Sequence, residues 1–170
     1  MHTLITLVGI IAVPGIACFY IPYRVLLASH VSFDQPFGLP QAIAFLMLSL
    51  GIYMILWVGV AFVRQGKGTP VPVDPPQHLV VSGLYCYVRN PMYVGAVLVV
   101  LAEALYFGSP WLVIYAAGLW AILHTAMLIL EEPQLQRRFG TAYDEYQAQV
   151  PRWIPKLRAN DGRSHYRRPL

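Results

Sequence analysis

Charge is the first thing this chain lacks. Only 12% of its 170 residues are Asp, Glu, Lys or Arg, while 57% are hydrophobic. A soluble domain carries about a quarter charged residues, so the excess apolar surface has to be covered by lipid. Cysteine is scarce as well: two residues, Cys18 in an apolar run and Cys86 in a polar loop, a pair that neither geometry nor redox compartment favours as a disulfide. No CxxC or HxxxH arrangement is present, which gives no support to a metal site. The formal net charge of +4 comes without any nucleic-acid motif and reads as topology and attraction to anionic headgroups.

What is abundant is long apolar sequence. Four stretches approach the roughly 20 residues that span a bilayer core: Leu4 to Tyr23, Ala42 to Val63, Met92 to Phe107 and Trp111 to Leu130. The second has no Asp, Glu, Lys, Arg or His. The first lacks the basic start and small-residue cleavage site of a signal peptide and is expected to be a retained helix, kinked at Pro14-Gly15. Gly51 and Gly59, with Ser49, are candidates for close helix contact.

Basic residues set the orientation. No Lys or Arg occurs from Ser29 to Leu39 or in the Gly108-Ser109-Pro110 turn; they gather from Arg64 to Asn90 and after Leu130. Lys and Arg concentrate in cytoplasmic segments, so both termini are predicted to be cytoplasmic. The expected fold class is all-α: an integral membrane protein of four transmembrane helices plus a C-terminal cytoplasmic amphipathic helix, in which Leu135, Phe139, Tyr143 and Tyr146 recur at three or four residues. The predicted units are a transmembrane hairpin over 1–63, a core over 64–155 and a basic tail over 156–170.

Two polar blocks interrupt this pattern, each fused to the end of an apolar run: Gly83 to Tyr93, and Glu131-Glu132-Pro133. Ionisable groups so placed are costly for a mere anchor and point to a ligand site at the membrane surface. Residues 77–85 read as a short strand-like or interfacial segment ending in a glycine turn. Arg89-Asn90-Pro91 reads as a helix start, with Asn as cap and Pro at the first position, leaving free amides that suit a carboxylate or phosphate. The fourth helix is expected to end at Glu131-Glu132, where two carboxylates oppose the helix dipole and require a cation: Arg89, Arg137, Arg138 or a cationic ligand. The tyrosines on the same side suit a sulfonium. His124 lies seven residues before Glu131 with Met127 between them. It serves either as a hydrogen bond to a neighbouring helix or as a substrate contact or base. Glu103 is expected to snorkel or pair at the outer end of the third helix.

The ordered set Leu79-Val80-Val81-Ser82-Gly83-Leu84-Tyr85, Arg89-Asn90-Pro91-Met92-Tyr93-Val94-Gly95 and Glu131-Glu132-Pro133-Gln134-Leu135, followed by Phe139-Gly140, Tyr143, Tyr146 and Val150-Pro151, resembles the isoprenylcysteine carboxyl methyltransferase family, within the integral membrane methyltransferases that include phospholipid methyltransferases. The resemblance covers about residues 77–155. It implies S-adenosylmethionine as cofactor, a lipophilic or prenylated substrate, a bilayer as partner and no nucleic acid. It implies cofactor contacts at Gln77, His78, Leu79, Val80, Tyr85, Asn90, Pro91, Met92, Tyr93, Glu131 and Glu132. Arg89, Asn90 and Glu131 are the candidate catalytic residues, and His124, Met127, Tyr146, Arg152 and Trp153 the candidates for the substrate side. Two positions depart from the family pattern. Asn90 stands where a histidine is usual and cannot act as a general base, and Met127 stands where an arginine would receive a substrate carboxylate. Same-family alternatives are a phospholipid amine or small-thiol methyltransferase, and the alternative of another class is a non-catalytic membrane scaffold.

Overall fold

The computed structural model describes residues 12–61, 79 and 81–156. The described residues are all-helical, with no strand. Helix α1 covers Ala12–Ala28, α2 Leu39–Ala61, α3 Pro91–Phe107, α4 Pro110–Phe139 and α5 Thr141–Gln149. A single 3₁₀ turn at Gly83–Cys86 precedes α3. Helices α2 and α4 are long and apolar enough to cross a membrane, and α1 and α3 are shorter apolar helices.

The helices pack on small residues. Gly51 of α2 and Gly95 of α3 meet backbone to backbone: a methyl group on either would lie 2.8 Å from the carbonyl oxygen of the other. Glycine is thus what lets the two axes close, in the manner of small-residue crossings in membranes. Helix α3 ends at Phe107 in a Schellman turn, with Gly108 at φ 60°, its N–H on the Leu105 carbonyl and the Ser109 N–H on the Ala104 carbonyl at 3.0 Å. Pro110 at once opens α4, since its missing donor costs nothing at a first helical position. The pair α3–α4 is therefore a tight hairpin, and its two far ends are brought to one level.

Both long-range irregularities in the helices have one cause. In α1 a π turn at Ile16–Tyr20 ends with the Ile21 N–H bonded to the Ile16 carbonyl, and Pro22 follows. In α4 a π turn at Met127–Glu131 ends with the Glu132 N–H bonded to the Met127 carbonyl, and Pro133 follows. A proline inside a regular helix clashes with the carbonyl four residues back and supplies no donor; one widened turn just before it absorbs the misfit. Pro14-Gly15, where a kink was expected, lies within α1 immediately before this π turn, with Gly15 at its N-cap position. The α1 π turn also strands the Ala17 carbonyl, because Ile21 is already used and Pro22 has no N–H. Tyr115 of α4 fills the gap, its hydroxyl donating to Ala17 O at 2.7 Å.

Two sequence expectations are corrected here. Helix α4 does not end at Glu131-Glu132; it continues through Pro133 to Phe139, and Gly140, at φ 52°, separates it from α5. The glutamates therefore lie inside a helix, where the C-terminal dipole argument has no force. Arg137 and Arg138 occupy the true last turn, the favourable place for cations. Glu103 does not carry both carboxylate oxygens to the surface: its Oε2 is buried and, among the described residues, has no hydrogen-bond partner.

Candidate active site

The site forms where three pieces of chain converge: the 3₁₀ turn with the start of α3, the π turn of α4, and the strap from Val150 to Lys156. The turn is locked from below. Gly83 has φ 60°, and a Cβ there would run into the Trp57 ring of α2, so both conformation and space demand glycine. Tyr85, two residues on, lies over the same indole at 6.3 Å between ring centroids.

The strap is tied to this turn by backbone and side chain. Arg89 N–H donates to the Pro151 carbonyl at 2.9 Å and Lys156 N–H to the Tyr87 carbonyl at 3.1 Å, while the Tyr146 hydroxyl donates to the Tyr85 carbonyl at 2.9 Å. Tyr143, Tyr146 and Val150 form a buried cluster against Leu79, Val81, Leu135 and Phe139. The four residues expected on the face of one C-terminal helix do pack together, but Leu135 and Phe139 lie at the end of α4 and Tyr143 and Tyr146 on α5, with the break at Gly140 between them. Burial pushes the phenols of Tyr85, Tyr143 and Tyr146 up, reinforced at Tyr85 by the nearby Glu131 charge, so all three stay neutral donors across the physiological range.

The two adjacent glutamates divide the work. Glu132 takes both arginines: Arg89 Nη1 at 3.0 Å and Arg152 Nε at 2.9 Å on Oε1, with Arg152 Nη2 at 3.0 Å on Oε2. Arg152 is thus bidentate, the geometry that fixes orientation best, and the three charges clamp the strap, α4 and the α3 approach together. Glu131 faces the other way and accepts from the Tyr93 hydroxyl in the first turn of α3. Of the arginines expected to compensate the two glutamates, Arg89 is found on Glu132, joined there by Arg152.

Asn90 stands at the N-cap position of α3 but does not cap it. Its side-chain amide is turned to the Met127 sulfur and to the Arg152 carbonyl. The first amides of α3 are therefore not covered by a capping side chain, while Pro91 fills the first position as expected. One turn along α4 from Met127, His124 stacks on Trp120 with centroids 5.1 Å apart and planes within 5°, and accepts at Nδ1 from Trp153 Nε1 at 3.1 Å.

A helix start free of a capping side chain, a glutamate and tyrosines against it and an arginine-clamped strap are features that known proteins can be asked about. The family model described as phospholipid methyltransferase matches residues 39–142, which include α2, α3, all of α4 and the turn between them. The chain belongs to the phospholipid methyltransferase family. Among curated proteins, the Protein-S-isoprenylcysteine O-methyltransferase of Schizosaccharomyces pombe is 33% identical over 80 residues, 46% of this chain and 34% of that protein. The Delta(14)-sterol reductase TM7SF2 of Mus musculus is 30% identical over 136 residues, 71% of this chain and 32% of that protein. The chain spans about a third of the length of these relatives. No solved structure matches.

In this phospholipid methyltransferase-family chain, the structure brings together most residues singled out by sequence. Leu79, Tyr85, Asn90, Pro91, Tyr93, Glu131 and Glu132 border the junction; Arg89, Met127, Tyr146 and Arg152 are bonded into it, and His124 with Trp153 forms an adjoining aromatic group. Met92, in the first turn of α3, is half-buried. Gln77, His78 and Val80 lie outside the described residues. Sequence reasoning missed two tryptophans. Trp120 was legible in principle, four residues before His124 and hence on its face of the helix; Trp57 gave no signal, because its role depends on α2 lying beside the 3₁₀ turn.

Proposed function

We propose that this chain is an integral membrane methyltransferase that uses S-adenosylmethionine to methylate a nucleophile on a lipophilic substrate. The observation that carries the reading is the meeting of Glu131 and Tyr93 at a helix start without a capping side chain, beneath a strap held by Glu132. The residues suit the cofactor chemically. The first amides of α3 offer donors to a carboxylate, Glu131 offers an acceptor to an ammonium or to hydroxyls, and the Tyr85 and Tyr93 rings suit a cationic sulfonium. The cofactor brings a methyl group already activated on sulfur. What remains for the protein is to hold the partners in line and keep water out.

In this reading Glu131, Tyr93, Tyr85, Asn90, Pro91, Met92, Leu79 and the undescribed Gln77, His78 and Val80 make the cofactor side. Glu132 acts through the strap, as a positioning residue. His124, Met127, Tyr146, Arg152 and Trp153 belong to the acceptor side, and Arg89 and Asn90 sit between the two. Helices α1 to α4 all span the bilayer, both termini are cytoplasmic, α5 lies at the cytoplasmic surface, and the chain divides into an N-terminal hairpin to 63, a catalytic core over 64–155 and a basic tail.

Supporting this are the family and the relative named for methyl transfer to isoprenylcysteine. The sterol reductase relative shares a longer stretch, so the test must separate the two chemistries. Purified protein is incubated with S-adenosylmethionine carrying a labelled methyl group and a membrane lipid extract. Label is expected in the lipid fraction, falling at least tenfold in Glu131→Ala, as expected for a lost charge-assisted contact. Absence of label with a broad panel of prenylated and phospholipid acceptors contradicts the proposal.

A further inference from the structure

His124 is a polar side chain in the apolar part of α4 that the cofactor side does not use. Its ring is held from two directions, flat on Trp120 at 5.1 Å and edge-on to Trp153, whose indole N–H reaches Nδ1 at 3.1 Å. An indole nitrogen can only donate, so Nδ1 must be the accepting nitrogen, and in the neutral ring the proton then sits on Nε2. Among the described residues Nε2 has no hydrogen-bond partner, and it is not among the sealed polar atoms. The tautomer decides the chemistry. A histidine fixed in this way presents an N–H outward and is a donor rather than a general base.

Its position gives the donor an object. His124 is three residues, about 4.5 Å of helix rise, into the apolar part of α4 from Met127. Met127 itself is buried against Asn90 at the start of α3. Trp120 and Ile122 are exposed on the same helix. A lipophilic molecule lying along the apolar part of α4 with its head at Met127 has His124 beside it, one turn away. Both arginines close by are spent on Glu132.

Resting on the methyltransferase reading above, the geometry points to His124 as the specificity-determining donor of the acceptor site, binding an anionic oxygen of a lipophilic substrate through Nε2–H, with Trp153 as the residue that fixes its tautomer. The anion is a carboxylate or a phosphate; the chemistry at His124 is the same.

Binding tests this without turnover, because Trp120 and Trp153 flank the ring and report occupancy by fluorescence. Full-length protein in detergent is titrated with N-acetyl-S-farnesylcysteine against its methyl ester, and with farnesyl phosphate against farnesol. Wild type is expected to bind at least one anionic probe about tenfold more tightly than its neutral counterpart, the size of one charge-assisted hydrogen bond. Preference for the first pair identifies a carboxylate source, for the second a phosphate source. His124→Phe keeps the stack and removes the donor, so the preference should vanish; His124→Gln retains an N–H and should keep most of it. Trp153→Phe should reduce the preference without changing affinity for the neutral probe.

Equal binding of both members of both pairs by wild type, or a preference that survives His124→Phe, overturns the inference. So does a parallel loss of S-adenosylhomocysteine binding in His124→Phe, which would make the residue a structural strut. An intact anionic preference in a protein that transfers no methyl group would instead count against the reaction, not against this site.

Discussion

The division between Glu131 and Glu132 is the residue-scale result with the sharpest consequences. Glu132 pairs with two guanidinium groups whose side chains are 9% and 28% exposed, itself 13% exposed, so removing its charge leaves Arg89 largely buried without its counter-charge. Breaking a buried pair from one side costs on the order of 3 kcal/mol. Glu132→Gln should therefore lower the thermal unfolding midpoint clearly and open the strap to protease, whereas Glu131→Gln should leave the midpoint nearly unchanged and weaken cofactor binding. Equal effects of the two variants would refute the division. Gly83→Ala meets both a positive φ and the Trp57 ring; a loss of about 2 kcal/mol is expected, partly restored in Gly83→Ala/Trp57→Leu. A pH dependence follows from the phenols. Folded Tyr143 and Tyr146 are raised above the ordinary value of 10.0, so the unfolded chain ionises first. Their contribution is complete below pH 10 and falls as pH rises beyond it, and Tyr146→Phe should make unfolding in detergent less sensitive to alkali. Both glutamates were named from sequence as cofactor contacts, but which of the two neighbours faces the strap was not readable in advance, because it depends on helix phase.

That phase is set at the scale of the element, by the π turns. The apolar runs located α2, α3 and the start of α4 to within a few residues because length and hydropathy are local properties. The continuation of α4 through Pro133 was not legible: proline in a sequence signals a break, and the alternative of one widened turn is chosen by packing. Removing Pro133 supplies the missing N–H and removes the clash that the wide turn relieves. Pro133→Ala should thus let α4 become regular, rotating Glu131 away from Tyr93 by about one residue's turn, roughly 100°. The expected result is unchanged or higher helix stability with cofactor binding weakened at least tenfold; undiminished binding would show that packing alone holds the π turn. The α2–α3 crossing makes a simpler prediction: Gly51→Val should destabilise the protein by about 2 kcal/mol or more, since the neighbour it meets is backbone.

For the whole molecule, the central idea is that a hairpin of α3 and α4 and a returning strap build one site from parts distant in sequence. The polar blocks that bound it were legible as anomalies of cost, and their order carried the family. What sequence withheld was the third wall: the backbone bonds from Arg89 and Lys156 that seat residues 151–156 follow from tertiary closure and have no side-chain pattern. The proposed topology adds an independent expectation, that a cysteine placed at Thr141 reacts with impermeant reagents from the cytoplasmic side. The most direct measurement is calorimetric titration of the detergent-solubilised protein with S-adenosylhomocysteine. Saturable binding to wild type, weakened at least tenfold by Glu131→Ala, is the predicted result; a folded wild-type protein that takes up no ligand would contradict the account.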